Sequence, residues 1–161
     1  MKLIYIEDSY IKYFDTTVNS ADCGRYLEAT AFYPQSGGQP SDLGSIFRDG
    51  EEFRVLRVDP PGPVHTLDKP GLAPGEKVSG RIDWEKRYRF MRSHTACHIL
   101  SAVIFKETGA KITGNQIDLA RSRVDFSLEK FDKSDMAAYV DKANRIIIDN
   151  HAIKTRVRIK S

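Results

Sequence analysis

The sequence has few cysteines and no long apolar run, and these absences exclude several classes of protein. Only Cys23 and Cys97 occur in 161 residues, so a disulfide-stabilised scaffold is disfavoured and a reducing cytoplasm is expected. No stretch approaches the roughly 18 uninterrupted apolar residues of a membrane helix, and charged residues interrupt the first twenty positions. We therefore expect a cytoplasmic protein with no membrane partner and no cleaved leader.

Proline and glycine are confined mainly to the first half of the chain. All seven prolines lie between Pro34 and Pro74, and eight of the eleven glycines lie between Gly37 and Gly80. Runs of β-branched and aromatic residues alternate with these turn residues, which is typical of a small all-β unit. The predicted strands are Leu3–Ile6, Tyr26–Tyr33, Arg54–Val58 and Lys77–Trp84. We predict a small N-terminal β-barrel domain over residues 1–84.

The second half has a different pattern. From Glu85 to Thr108 there is no glycine or proline and the apolar residues follow helical spacing, with Gly109 as the predicted stop. Two strands, a helix with Ser134 near its N-cap, and a strand with one basic face are then predicted over Lys111–Ile117, Arg123–Ser127, Ser134–Asn150 and Ile153–Lys160. The predicted fold class is α+β, with a barrel followed by a domain of antiparallel sheet and helices over residues 85–161.

Charge is distributed unequally between the halves. Residues 1–80 contain 8 Lys and Arg against 12 Asp and Glu, whereas residues 81–161 contain 17 against 10. A basic half favours a polyanionic partner such as nucleic acid, because neutralising phosphates releases counterions. Solvated surface lysine and arginine residues explain the same composition equally simply.

Two histidines in the predicted helix have metal-ligand spacing. His94 and His98 are four residues apart, so both imidazoles lie on one helix face and could bind one zinc ion. Solvated or hydrogen-bonded histidines are the alternative. Thr95 follows His94 where zinc proteases place a glutamate base, which disfavours peptidase chemistry. Cys97 is predicted to be a packed core thiol, and the remaining histidines, His65 and His151, are predicted to be surface residues.

Three segments together resemble one family. RSHTACHILSAVI, from Arg92 to Ile104, is similar to the motif that opens the editing domain of alanyl-tRNA synthetase and of the free-standing AlaX editing proteins. ATAFYPQSGGQPSDLG, from Ala29 to Gly44, resembles the glycine-motif segment of that family's N-terminal barrel, and TGNQIDLARSRVDFS, from Thr113 to Ser127, resembles its pocket segment. The three matches follow the family's order along the chain.

The resemblance implies a trans-editing hydrolase of the AlaX family. Its expected substrate and partner is alanine tRNA mischarged with serine or glycine, whose aminoacyl ester is cleaved by water. The resemblance implies zinc held partly by His94 and His98, with no catalytic residue assigned. It also implies substrate-binding residues in the glycine and pocket segments, namely Thr30, Gly37, Gly38, Thr113, Asn115 and Gln116.

One element of the family pattern is missing from the sequence. The family completes its zinc site with a later C-x-x-x-H element, and none follows Lys111. We therefore expect a C-terminally truncated chain, or else a metal-free relative. Two alternatives to the hydrolase stay open: a catalytically incompetent fragment that retains tRNA affinity, and the editing region of a larger synthetase. Met1 stands in a predicted strand, which favours a free-standing origin over a synthetase.

Overall fold

The computed structural model describes residues 1–20, 26–128 and 132–154. The chain forms two compact units, one made of Met1–Ser93 and Asn115–Arg123 and the other of His94–Gly114 and Val124–Ser161. The domain boundary predicted between residues 84 and 85 stays a prediction.

Short strands dominate the first unit and helices dominate the second. The helices are α1 (Ile4–Glu7), α2 (Trp84–Thr108) and α3 (Lys133–Ile148). The strands are β1 (Lys2–Leu3), β2 (Tyr13–Ser20), β3 (Tyr26–Leu27), β4 (Ala29–Thr30), β5 (Gly44–Arg48), β6 (Glu51–Asp59), β7 (Val64–Leu67), β8 (Lys77–Ile82), β9 (Ile112–Gln116) and β10 (Arg123–Phe126).

A six-stranded antiparallel sheet forms most of the first unit. Its strand order is β3-β2-β8-β5-β6-β7, and Tyr13 of β2 lies opposite Arg81 of β8. β1 and β4 form a separate parallel pair, and β9 and β10 form a two-stranded sheet. The large sheet curls into a half-barrel, with β3 and β7 at its edges. The mixed α and β character is therefore confirmed, whereas the separate closed barrel is not confirmed over the described ranges.

The β5–β6 turn illustrates how local sequence determines this sheet. Asp49 and Gly50 both have positive φ, 48° and 84°, which a two-residue hairpin turn of the primed type requires. Arg48 and Glu51 pair directly on either side of the turn, so the register of β5 against β6 is fixed from there.

The core of the first unit lies under the concave sheet. Alternate residues of β2 and β8 point inward, as the twofold period of a strand requires. In β6 the alternation is interrupted at the register shift between Val55 and Arg57, so Phe53, Val55 and Val58 are buried. The phenyl rings of Phe14 and Phe32 meet edge to face with centroids 5.6 Å apart. The buried cluster consists of Phe14, Val18, Leu27, Ala31, Phe32, Ile46, Phe53, Val55, Val58, Leu72, Val78 and Ile82.

Helix α2 has a clear start and stop in the sequence. The Asp83 carboxylate accepts a hydrogen bond from the Lys86 amide at 3.3 Å, which stabilises the first turn. Gly109 ends the helix with φ of 73°, and its amide donates to the Phe105 carbonyl at 2.8 Å. The predicted helix and its glycine stop are confirmed.

Several predicted elements differ from the structure. Leu3–Ile6 is not one strand, because β1 ends at Leu3 and α1 begins at Ile4, and Tyr26–Tyr33 is divided between β3 and β4. The strands β2, β5 and β7 were not predicted. Asp132, not Ser134, caps α3, since its carboxylate accepts from the Ser134 amide at 2.7 Å. Residues 155–160 of the predicted last strand lie outside the described residues.

The second unit consists of the rest of α2, α3 and the paired strands. The Lys142 ammonium of α3 donates to the Glu107 carboxylate of α2 at 2.7 Å. Ala143 is the buried residue of α3, whereas Ile146, Ile147 and Ile148 are exposed. Among the described residues, no helix is both long and apolar enough to cross a membrane.

A buried ion pair joins α2 to the loops of the first unit. The Arg87 and Asp42 side chains are 2% and 1% exposed, and Arg87 Nε donates to both carboxylate oxygens at 2.8 and 2.9 Å. The guanidinium also donates to the backbone carbonyls of Ser9 and Ala31, and Asp42 accepts from the Tyr33 amide at 2.7 Å. Burial raises the pKa of Asp42, and the Arg87 guanidinium opposes that rise. One guanidinium therefore holds together α2, the loop at Ser9, the segment Ala31–Tyr33 and the loop at Asp42.

Arg87→Ala is expected to lower the free energy of unfolding by about 3–5 kcal/mol, because it leaves the Asp42 carboxylate buried without its cation. Urea denaturation followed by circular dichroism measures this change. Arg54→Ala is the matched control, since it removes an exposed ion pair with Asp68, and it should leave the midpoint nearly unchanged. Equal midpoints for the two variants would contradict the structural role of Arg87.

Candidate functional site

The glycine segment forms a tight turn at one edge of the first unit. Ser36 and Gln39 form an isolated antiparallel bridge, with their amides donating to each other's carbonyls at 3.1 and 2.9 Å. Gly37 and Gly38 occupy the two central positions with φ of 58° and 78°. Two consecutive positive φ values define a primed hairpin turn, which favours glycine at both positions. The turn therefore presents bare backbone to its surroundings.

The predicted pocket segment contacts this turn within the first unit. The Ile117 amide donates to the Gly38 carbonyl at 2.8 Å. A Cβ atom at Gly38 would lie 2.9 Å from the Asn115 carbonyl oxygen and would overlap the Asn115 side-chain amide. Two of the three segments that carry the family resemblance are thus in direct contact. Gly38 is needed both for its φ and for the space that Asn115 occupies.

Thr30 and His65 form a buried polar pair. Both residues are fully buried, and the Thr30 hydroxyl lies 3.0 Å from His65 Nε2 while it accepts from the Phe32 amide at 3.1 Å. The prediction that His65 is a surface residue was wrong, because β7 directs its ring inward against Phe32, with centroids 5.4 Å apart. A role for Thr30 in substrate contact stays a prediction.

The other predicted substrate residues lie along β9. Thr113 and Gln116 are exposed, and Asn115 is half-buried. Gly114 between them allows a close approach of Asp125 from β10, since a Cβ atom at Gly114 would lie 2.8 Å from Asp125 Oδ2. Asp125 was not among the predicted site residues. It comes close to the predicted residues of β9 because β10 pairs with β9.

His94 and His98 stack on one face of α2 within the second unit. Their ring centroids are 4.9 Å apart and the ring planes are inclined by 14°, as the four-residue spacing predicts. His94 is half-buried and His98 is exposed. Parallel imidazoles one turn apart can present two nitrogens to one ion.

Burial determines the electrostatics around this pair. Desolvation lowers the pKa of His94, and the neighbouring His98 lowers it further. The neutral imidazole is the form that binds metal, so the lowered pKa favours ligation at neutral pH. Cys97 lies between the two histidines in sequence and is half-buried, and burial raises the pKa of its thiol. A thiol of raised pKa is a poor nucleophile and a poor metal ligand.

The residues present fit half of a tetrahedral zinc shell. His94 and His98 supply two nitrogens from one helix turn. No group of three or more His, Cys, Asp or Glu side chains arranged around one point occurs in the described parts of the chain. His151 is exposed beyond α3, as predicted.

The structure brings together some of the predicted residues. Gly37, Gly38, Asn115 and Gln116 belong to the first unit, and His94, His98 and Thr113 belong to the second. The four-residue spacing and the family resemblance also predict that His94 and His98 face the glycine segment across one cavity, and this stays a prediction.

Relatives of known families match the chain over most of its length. Residues 8–86 match the profile of a family described as class II (A) tRNA synthetases. The chain is 48% identical to the alanyl-tRNA editing protein AlaX-M of Methanosarcina mazei, over 93% of this chain and 64% of that protein. It is 46% identical to AlaX-M of Methanosarcina acetivorans, over 94% of this chain and 67% of that protein.

A longer relative matches more weakly. The alanine–tRNA ligase of Pyrococcus furiosus is 34% identical over 95% of this chain, which corresponds to 18% of the ligase. The chain thus spans about two thirds of the AlaX-M proteins and a small part of the ligase. On this similarity the chain belongs to the AlaX family of alanyl-tRNA editing proteins.

Gly38→Ala is expected to destabilise the first unit by more than a matched glycine substitution does. Strain at positive φ costs about 1–2 kcal/mol at either glycine, and overlap with Asn115 adds about 1–3 kcal/mol at Gly38. Gly50→Ala is the control, because Gly50 has φ of 84° and a Cβ atom there meets nothing within 4 Å. Urea unfolding of both variants measures the difference. Equal losses of unfolding free energy in the two variants would show that the Asn115 side chain moves aside at no measurable cost.

The His94 ring is expected to titrate below an ordinary histidine in the metal-free chain. His98→Asn should raise the pKa of His94 only partly, since burial is the larger cause and the charge on His98 the smaller one. Proton NMR titration of the imidazole resonances, with His151→Asn as the control, measures both effects. A complete return of the His94 pKa to its ordinary value in His98→Asn would show that burial contributes little.

Proposed function

We propose that this chain is an aminoacyl-tRNA hydrolase that deacylates alanine tRNA mischarged with serine or glycine. One observation carries the proposal beyond family membership. The glycine turn and the pocket segment, far apart in sequence, contact each other through the Gly38 carbonyl and the Ile117 amide at 2.8 Å. A contact between these two segments supports a common ligand-binding surface built from both.

The chemistry of the mischarged substrates explains why such a surface is needed. Serine and glycine differ from alanine by a hydroxyl or a methyl group, and an apolar pocket alone discriminates such differences weakly. A second site that hydrolyses the wrong ester provides the missing selectivity. We assign Gly37 and Gly38 to the wall that limits the size of the aminoacyl group. The Asn115 amide, half-buried against that wall, is suited to donate to an ester or hydroxyl oxygen.

His94 and His98 are the residues that would hold zinc. Their stacked rings place two nitrogens close together, and the lowered pKa of His94 favours the neutral form of that imidazole, which binds metal. A zinc ion held there would supply Lewis-acid polarisation of the ester or of water. The chain itself contributes orientation, because the α2 backbone fixes both rings on one face.

The expected partner and location follow from composition. The excess of 17 Lys and Arg over 10 Asp and Glu in residues 81–161 suits a tRNA backbone. Two cysteines in the whole chain suit the reducing cytoplasm. The alternative function is tRNA binding without hydrolysis, and it is favoured by the lack of a three-ligand group among the described residues.

Hydrolysis and zinc binding are expected to depend on the histidine pair together. His94→Ala and His98→Ala should each lower zinc affinity and the deacylation rate of serine- and glycine-charged alanine tRNA by at least about tenfold, as loss of one of few ligands predicts. His151→Ala is the matched control, since His151 is an exposed histidine that follows α3 and is not one of the proposed ligands. Zinc content after dialysis and release of labelled amino acid are the two measurements.

The outcomes separate the two functions. Unchanged zinc binding in both α2 variants would overturn the assignment of the ligands. Binding of alanine tRNA with no deacylation at any zinc concentration would favour the alternative, a tRNA-binding chain without catalytic competence.

A further inference from the structure

An aromatic cluster of Tyr10, Trp84 and Tyr88 lies on the surface of the first unit. The rings of Trp84 and Tyr88 stack with centroids 5.5 Å apart and planes inclined by 22°, and Tyr10 packs against both at 5.6 and 6.4 Å. Trp84 and Tyr88 are four residues apart in α2, so they lie on one helix face. Tyr10 comes from the segment between α1 and β2.

The cluster is open to solvent. Tyr10 is 59% exposed and Tyr88 is 41% exposed, and Trp84 is half-buried. The edge-to-face pair of Phe14 and Phe32 is in contrast buried in the core. Three large rings in mutual contact with this much exposure form a contiguous apolar surface cluster, unlike singly scattered surface apolar residues.

Cations surround the rings. The Lys12 ammonium lies 4.8 Å from the centroid of the Trp84 ring, and the Arg92 guanidinium lies 5.9 Å from that of Tyr88. Both side chains are exposed, as is Arg89 on the same helix. Two of the acids near the rings are engaged locally: Asp8 accepts from the Tyr10 amide at 2.8 Å, and Asp83 pairs with Lys86 at 3.1 Å. Glu85, which follows Trp84, is exposed.

Stacked rings with flanking cations match the chemistry of unpaired nucleotides. Every base has a face that stacks on an aromatic ring, and each phosphate between bases needs a positive charge nearby. A continuous RNA duplex keeps its bases stacked on one another, so it offers these rings only its backbone. The patch therefore fits a single strand better than a duplex.

We propose that Tyr10, Trp84 and Tyr88, with Lys12 and Arg92, bind the unpaired nucleotides at the 3′ end of a tRNA. This inference rests on the proposed function, because an aminoacyl ester is carried on that 3′ end and must be brought to the protein with it. One base stacks on Tyr10, and a second stacks on Tyr88 once the Arg92 guanidinium moves from that ring to a phosphate. Lys12 contacts another phosphate. The patch thereby gives affinity without base specificity.

Trp84 supplies a direct readout, since it is the only tryptophan in the chain. Two RNA probes are titrated into the full chain: an acceptor-stem hairpin of alanine tRNA with its unpaired 3′ end, and the same hairpin made blunt. The first probe should change Trp84 fluorescence and bind about tenfold more tightly than the second. Equal affinities and equal fluorescence changes for the two probes, or no binding of either, would overturn the proposal.

Substitutions test the same surface independently. Tyr10→Ala and Tyr88→Ala should each weaken binding of the overhanging probe by about tenfold, while Tyr10→Phe and Tyr88→Phe, which keep the rings, should bind like the unmodified chain. Tyr13→Ala is the control, because Tyr13 is 70% exposed on β2 but is not part of the cluster. Unchanged binding in both alanine variants would refute the assignment. So would a self-association of the chain that these variants abolish, because the patch would then be a protein interface.

The deacylation assay distinguishes this inference from the proposed function. Ring-dependent binding of the overhanging probe without any hydrolysis supports the patch and refutes the hydrolase. Hydrolysis with an unchanged KM in a chain carrying both Tyr10→Ala and Tyr88→Ala supports the hydrolase and refutes the patch.

Discussion

The ion pair between Arg87 and Asp42 is the constraint on which the first unit depends. Arg87 belongs to the first turn of α2, and Asp42 follows the glycine turn by a few residues. Two charges removed from water at this depth are tolerated only because the guanidinium and the carboxylate bond each other and the nearby backbone groups. The helix cannot rotate about its axis without breaking several of these bonds at once. The orientation of the Trp84 and Tyr88 face is fixed by the same contact.

Backbone geometry, not side-chain chemistry, defines the surface at the Gly37–Gly38 turn. The Gly37–Gly38 turn has no side chains of its own, so the hairpin that contains Asn115 can approach its main chain directly. A surface made of bare backbone has a fixed shape and fixed hydrogen-bonding groups. The size-limiting wall that we propose for this turn would depend on that fixed shape more than on a reactive group.

The sequence was informative where the physical cause is local. The absence of glycine and proline from Glu85 to Thr108 predicted α2 with its glycine stop, and the four-residue spacing predicted the stacking of His94 and His98. The resemblance assigned both the glycine segment and the pocket segment to substrate binding. The structure shows that Gly38 and Ile117 of these segments contact each other within the first unit, and their roles stay predictions.

Features that depend on contacts between distant residues could not be predicted in this way. His65 lies in a segment rich in glycine and proline, and it is buried because β7 pairs with β6 and turns the ring toward Thr30. Nothing local distinguishes Arg87 from the exposed arginines near it, since burial follows from where Asp42 lies in space. Strand β2 was missed because its charged and hydroxyl residues weaken the apolar alternation.

The half-barrel leaves two sheet edges, and their length affects how the protein behaves in a concentrated solution. Over the described residues, the outermost strands β3 and β7 contain two and four residues, and β3 begins where the range 26–128 begins. An edge strand recruits another chain through a row of unpaired amides and carbonyls, and so short a row supplies few of them. Edge strands as brief as those described offer few groups for pairing, which reduces the tendency of sheets from neighbouring molecules to join into fibrils.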